Sequence, residues 1–183
     1  MRIWHPNGML VTLDKDTLRG TLKYDIPTNS IHIFSPQDPN NRILTFSSKK
    51  VMYFEFYDNN RDHFRQFYSI PYHIRLNYKA PILFEILFEG KMSLLAREKI
   101  VIESEPYDGF SSFGGSGTRE RLVYSYYFVD EVGKIQFFEG RKNDLYSILK
   151  GNQETVRFYV KKNKLKLENL NDLIRVVAFY NSL

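Results

Sequence analysis

Between residue 9 and about residue 140, apolar side chains return at every second position, and no other feature constrains the fold of this chain as strongly. "MLVTL" (9–13), "TLRGTLKYD" (17–25), "SIHIFS" (30–35), "RILTFS" (42–47), "KVMYFEFYD" (50–58) and "FRQFYSIPY" (64–72) each read as a short strand. The clusters of Asp, Asn and Pro between them favour turns. In the second segment Leu18, Gly20, Leu22 and Tyr24 share one face, while Arg19, Thr21 and Lys23 share the other. Gly20 interrupts the apolar face, which predicts a bulge or the close approach of another backbone. "LFEILFEGKMSLLAREKIVIE" (83–103) reads as a hairpin turning at Glu89 and Gly90, where glycine supplies a positive φ at little cost. "RLVYSYYFVD" and "KIQFFEG" form another hairpin around Glu131–Gly133. The 15 Phe and 13 Tyr among 183 residues suit such pleated, half-buried surfaces.

After residue 140 the period changes. "RKNDLYSILKG" places Leu145, Ile148 and Leu149 on one helical face, with Gly151 where a helix-ending glycine belongs. Val156, Tyr159 and Val160 form a stripe on a second helix, and Lys161 and Lys162 complement its C-terminal dipole. Asn169 is placed to cap a third helix, with Asp172 three residues on, and Leu170, Leu173, Ile174 and Val177 make its apolar face. None is long enough to be stable alone. The expected fold is mainly β within the α+β class. It is an antiparallel barrel-like or sandwich sheet of about 8–10 strands over residues 1–140. Two or three short helices in residues 141–183 are expected to cover one end or edge of it.

Composition removes several chemistries. With no cysteine, disulfides, thiolate catalysis and cysteine-based zinc sites are excluded. The formal charge of +5 makes the surface mildly basic. Its densest run, "KKNKLK" (161–166), is short for a nucleic-acid tail and reads as a solvated face. No apolar run reaches the roughly 18–20 residues that span a bilayer as a helix. "MRIWHPNG" lacks the apolar segment of a signal peptide, so a chain starting there is expected to be soluble and cytoplasmic.

"GFSSFGGSGT" (109–118) is the stretch that most resembles a ligand-binding loop. A phosphate-binding G-x-x-x-x-G-K-[ST] loop requires Lys where Gly115 stands. A dinucleotide G-x-G-x-x-G turn beginning at Gly115 meets Glu120 instead of its last glycine. A G-x-S-x-G nucleophile elbow around Ser116 meets Thr118 at its fifth position. The stretch therefore reads as a connection between strands. "DNNRD" (58–62) matches the first three ligand positions of a calcium loop but has His63 and Ser69 where Gly and Glu are needed, so it reads as a turn. His5, His32, His63 and His73 are scattered, and no metal or cofactor is expected. Glu85 and Glu89 share a strand face and read as solvated charges opposite Phe84, Ile86 and Phe88. Tyr53 and Tyr57 share one strand face, and Tyr124, Tyr126 and Phe128 another; rings beside basic residues can stack on bases or sugars. The ligand-binding candidates are Tyr53, Tyr57, Tyr124, Tyr126 and Ser116, and no residue is assigned a catalytic role.

Three stretches resemble an uncharacterised family common in Bacteroidota. "WHPNGMLVTLDKDTLRGTLKYD" is similar to its opening through Trp4, Gly8, Leu18, Gly20 and Tyr24. "FEILFEGKMSLLAREK" is similar to its hairpin ending in Leu95, Arg97 and Glu98. The tail from Leu145 is similar to its closing helices, with Asn163, Leu165, Tyr180 and Asn181. The resemblance carries no catalytic residue, and it implies export, with a periplasmic or cell-surface location after removal of a leader. The functional expectation is a non-catalytic binding or scaffolding domain of the cell envelope with a protein or glycan ligand. The alternatives are a hydrolase using Ser116 or paired carboxylates, and a weak single-strand nucleic-acid binder.

Overall fold

The computed structural model describes residues 4–36, 38–40, 42–76, 78–104 and 118–183. Alternation becomes strands where it was expected: β1 (His5–Thr12), β2 (Thr17–Asp25), β3 (Ser30–Phe34), β4 (Ile43–Ser47), β5 (Val51–Asp58), β6 (His63–Arg75), β7 (Tyr78–Phe88), β8 (Ser93–Ser104), β9 (Thr118–Val129) and β10 (Ile135–Phe138). They form one antiparallel sheet in the order β10-β9-β8-β7-β6-β5-β1-β2-β3-β4. The helices α1 (Lys142–Ile148), α2 (Gln153–Lys162) and α3 (Leu170–Asn181) follow, and none is long and apolar enough to cross a membrane.

The sheet is rolled. Tyr24 on β2 and Phe67 on β6 are three strands apart, about 14 Å in a flat sheet, yet their ring centroids lie 5.4 Å apart. At the same end Ser69 Oγ donates to the Ser48 carbonyl at 2.6 Å, and Asn29 Nδ2 to the Pro81 carbonyl at 3.4 Å. Curling lets one sheet cover its own inner face, so Leu10, Leu22, Ile33, Phe54, Phe67 and Leu83 are almost fully buried without a second layer. Gly20 marks a tight contact between the neighbouring strands β2 and β3. A Cβ there would stand 2.0 Å from the Phe34 carbonyl oxygen, so close backbone approach is the reason for glycine.

On the same face, β7–β10 bury Leu94, Phe128 and Phe138 against Leu145, Leu149, Val156, Leu173 and Val177 of the helical segment. The helices thus cover a face at one end of the sheet, not an edge, because their stripes need broad apolar surface and the inner rows of β8–β10 supply it. Asn169 caps α3 by accepting from the Asp172 backbone N–H at 3.2 Å. The Asp172 carboxylate turns instead to the Lys166 N–H at 2.9 Å, so the pair is not a reciprocal capping box. At the far end of α3, Asn181 clamps the β7–β8 turn. Its Oδ1 accepts from the Met92 N–H and its Nδ2 donates to the Met92 carbonyl, both at 2.9 Å. The turn glycine serves this contact: a Cβ on Gly90 would meet Asn181 Oδ1 at 2.5 Å, and Gly90 does not adopt the expected positive φ. The opposite face carries a third cluster of Ile82, Phe84, Leu95 and Tyr127.

Candidate functional site

Between the rolled part of the sheet and the helix-covered part, the inner face changes from apolar to charged. Register places Phe56 opposite Arg65, Phe67 opposite Glu85, Glu85 opposite Ala96 and Glu98 opposite Tyr124. With a side-chain period of two, all of these point to the same side. Arg65 Nε and Nη2 donate to the two Glu85 oxygens at 2.7 Å each, and Nη2 donates also to Glu98 Oε1 at 2.6 Å. Arg65 Nη1 lies 3.6 Å from Asp58 Oδ2. The side chains of Arg65, Glu85 and Glu98 are only 7%, 2% and 3% exposed. The guanidinium also packs over the rings of Phe67 and Phe56, at 4.9 and 5.6 Å. Burial opposes the charge on Arg65, but the hydrogen bonds and charges of Glu85 and Glu98 outweigh it and hold its pKa above the ordinary arginine value. One guanidinium therefore ties together β6, β7 and β8.

A second arginine enters from the β5–β6 turn. Asp58 shapes that turn: its side chain accepts from the Asn60 N–H at 3.0 Å, and its carbonyl from the Arg61 and Asp62 N–H groups at 3.1 and 2.8 Å. The DNNRD stretch is thus the turn expected of it, with Asp62 at φ +56°. Arg61 Nη2 donates to the Tyr124 hydroxyl, which in turn donates to Glu98 Oε1 at 3.0 Å. Burial first, then the Glu98 charge, pushes the Tyr124 pKa up to about 12. Arg61 approaches carboxylates only loosely, at 3.8 Å from Asp58 and 4.0 Å from Glu85, and its side chain is 32% exposed.

Arg61 and Tyr124 separate two recesses. The smaller, about 210 Å³, holds His5, Tyr24, Asp58 and Glu98. His5 stacks on Phe56 with centroids 3.9 Å apart, and burial lowers its pKa against the opposing pull of Asp58. The larger, about 550 Å³, lies where the sheet parts: β6–β7 pairing ends at Phe67–Glu85, although β6 runs on to His63 and β7 to Phe88. Tyr126, Phe64, Leu87 and the α3 residues Leu170 and Ile174 line this cleft, with Arg61 and the edge of Glu85 as its polar groups. Burial raises the Tyr126 pKa, and the Tyr126 hydroxyl has no hydrogen-bond partner among the described residues. Apolar walls with a few convergent polar groups are the usual makeup of a small-ligand site.

The candidates named from sequence divide. Tyr124 and Tyr126 line the larger cleft, half-buried. Tyr53 and Tyr57 occupy the other face of β5, where Tyr53 packs on Tyr68 and donates to Glu55, while Tyr57 packs on Phe64 and donates to Asp62. The four rings do not form one platform. Ser116 lies outside the described residues. Glu85 is not the solvated charge expected of it: it is buried beneath Arg65, and its partner carboxylate is Glu98, not the exposed Glu89. The reason is that β7 is apolar on both faces, with Leu83 and Leu87 on one and Phe84 and Ile86 on the other, so alternation could not say which face Glu85 joined. A legible signal existed in Arg65, Glu85 and Glu98, three charges on apolar faces of successive strands. With both carboxylates almost fully buried and engaged by Arg65, the trio presents an ion-paired floor to the clefts.

No family model, curated protein or solved structure matches the chain.

Proposed function

We propose that this chain is a non-catalytic binding domain whose ligand lies in the larger cleft, over the ionic floor and against α3. The observation that carries this reading is the pairing of Tyr126, whose hydroxyl is unengaged among the described residues, and the loosely held Arg61 in one cleft of about 550 Å³. Two arginines against three carboxylates leave the cluster one formal negative charge, which disfavours an anion, and a cation would have to compete with arginines already paired there, so a neutral ligand fits better. An uncharged saccharide suits these walls: one ring face lies on Tyr126 and Ile174, and hydroxyls reach Arg61 and the Tyr126 hydroxyl. A domain of the cell envelope is where such a ligand would be met, in keeping with the family resemblance.

The test is calorimetric titration with a panel of neutral and charged oligosaccharides, on the wild-type chain and on the Tyr126→Ala and Arg61→Gln variants. A neutral saccharide should bind, and each variant should lose at least about tenfold in affinity, the worth of one good hydrogen bond or ring contact. Failure of every neutral saccharide, or affinities untouched by both substitutions, refutes the assignment.

A further inference from the structure

The formal charge is distributed very unevenly. Residues 141–183 contain nine Lys and Arg against four Asp and Glu, so this segment carries the whole formal charge of +5, while residues 1–140 are balanced. The excess gathers at one place. Lys142 from α1, Arg157 and Lys161 from α2, and Lys164 and Lys166 from the turn after it line a single open groove of about 700 Å³. Among the described residues none of Lys142, Lys161, Lys162, Lys164 and Lys166 forms an ion pair, while Arg157 is engaged with Glu154 at 3.3 Å and over the Tyr146 ring at 4.9 Å. Two lysines are enough to complement the C-terminal dipole of α2.

A second observation comes from α2 itself. Val156 and Val160 are buried against the core, and Phe158 stands about 160–200° round the helix from them. It is 65% exposed, and apart from the terminal Leu183 it is the one exposed large apolar side chain among the described residues of the helical segment. Lys161 and Lys162 lie one turn further along on either side, the latter 5.8 Å from its ring. An outward aromatic flanked on its C-terminal side by two lysines without ion pairs is the makeup of an element that docks at a bilayer surface, the ring entering the headgroup boundary and the cations meeting anionic lipid. Single-stranded nucleic acid fits less well, because such proteins stack bases on exposed rings within the basic groove. Here the groove's own ring, Tyr146, is buried and covered by Arg157.

We infer that the outer face of α2, with the lysine groove beside it, docks this protein reversibly on anionic phospholipid surfaces, with Phe158 as the inserted side chain. This docking surface shares no residue with the saccharide cleft, and either can fail without the other.

Co-sedimentation with vesicles tests it. The wild-type chain should bind phosphatidylglycerol–phosphatidylcholine vesicles, bind pure phosphatidylcholine vesicles hardly at all, and lose the first association at high salt. Each basic residue near an anionic surface contributes about fivefold, so Lys161→Gln combined with Lys162→Gln should weaken partitioning about 25-fold. Phe158→Ala should weaken it as well. In a Trp4→Phe background, the indole introduced by Phe158→Trp should shift its emission to the blue on adding anionic vesicles, a change that fold loss does not mimic because circular dichroism reports folding separately. No vesicle binding, equal binding to neutral vesicles, an unshifted emission from the Phe158→Trp variant, or binding of poly(dT) or heparin without binding of vesicles would each overturn the inference.

Discussion

Replacing Arg65 by Met removes the one group shared by three strands while keeping a side chain long enough to cover Phe56 and Phe67. Three charge-assisted hydrogen bonds of 2.6–2.7 Å disappear. At about 1.5–3 kcal/mol each their gross worth approaches 4.5–9 kcal/mol. Desolvation of the ions has already consumed much of that, so the net loss is set by leaving Glu85 and Glu98 buried with only the Tyr124 hydroxyl and the distant Arg61 as partners, about 3–5 kcal/mol. For a chain of this length that corresponds to a fall in Tm of roughly 6–20 °C. Urea unfolding followed by circular dichroism measures it, through a lower midpoint at unchanged slope. The decisive control replaces the whole trio by Arg65→Met, Glu85→Leu and Glu98→Leu. If the cost comes from orphaned charge, this variant should return to within about 1 kcal/mol of wild type or exceed it. A loss under about 1 kcal/mol for Arg65→Met alone, or a triple variant worse than the single one, would refute the reasoning.

Two further outcomes follow from other parts of the fold. Gly20→Ala drives a methyl into the Phe34 carbonyl, a backbone atom that cannot step aside; about 2–3 kcal/mol should be lost, and unchanged thermal stability would contradict the close approach. His5 has a folded-state pKa below the ordinary histidine value of 6.5, so the unfolded chain binds the extra proton. Its contribution is therefore fully present above pH 6.5 and is lost as pH falls from there through the lowered pKa. His5→Phe, which keeps the stack on Phe56, should flatten the pH dependence of the urea midpoint in that window; an identical profile would show that His5 carries none of it.

How far the sequence could be read depended on how many faces of a strand are buried. Where one face is wet, as in β2 with Leu22 inside and Lys23 outside, alternation identified both the strand and its orientation. The helices were equally legible, because Asn169, Gly151 and the stripes at Val156–Val160 and Leu173–Val177 are local signals with local causes. Gly20 announced a backbone contact but not its partner. In β7 both faces are apolar, and the same rule lost its power to orient: Glu85 read as a surface charge and proved to be the floor of the site. Tyr53 and Tyr124 look alike in sequence, yet they lie on opposite faces of the sheet.

What the chain determined by itself was therefore a set of strands, turns and capped helices, and the absence of thiol chemistry. Tertiary structure alone decided that the sheet rolls, that β6 and β7 part beyond Phe67 and Glu85, and that Arg65 meets carboxylates 20 and 33 residues away. The physical reason is range. Backbone preference and side-chain periodicity act over a few neighbouring residues, whereas a buried charge finds its partner through the register of strands that the turns and the core have already set.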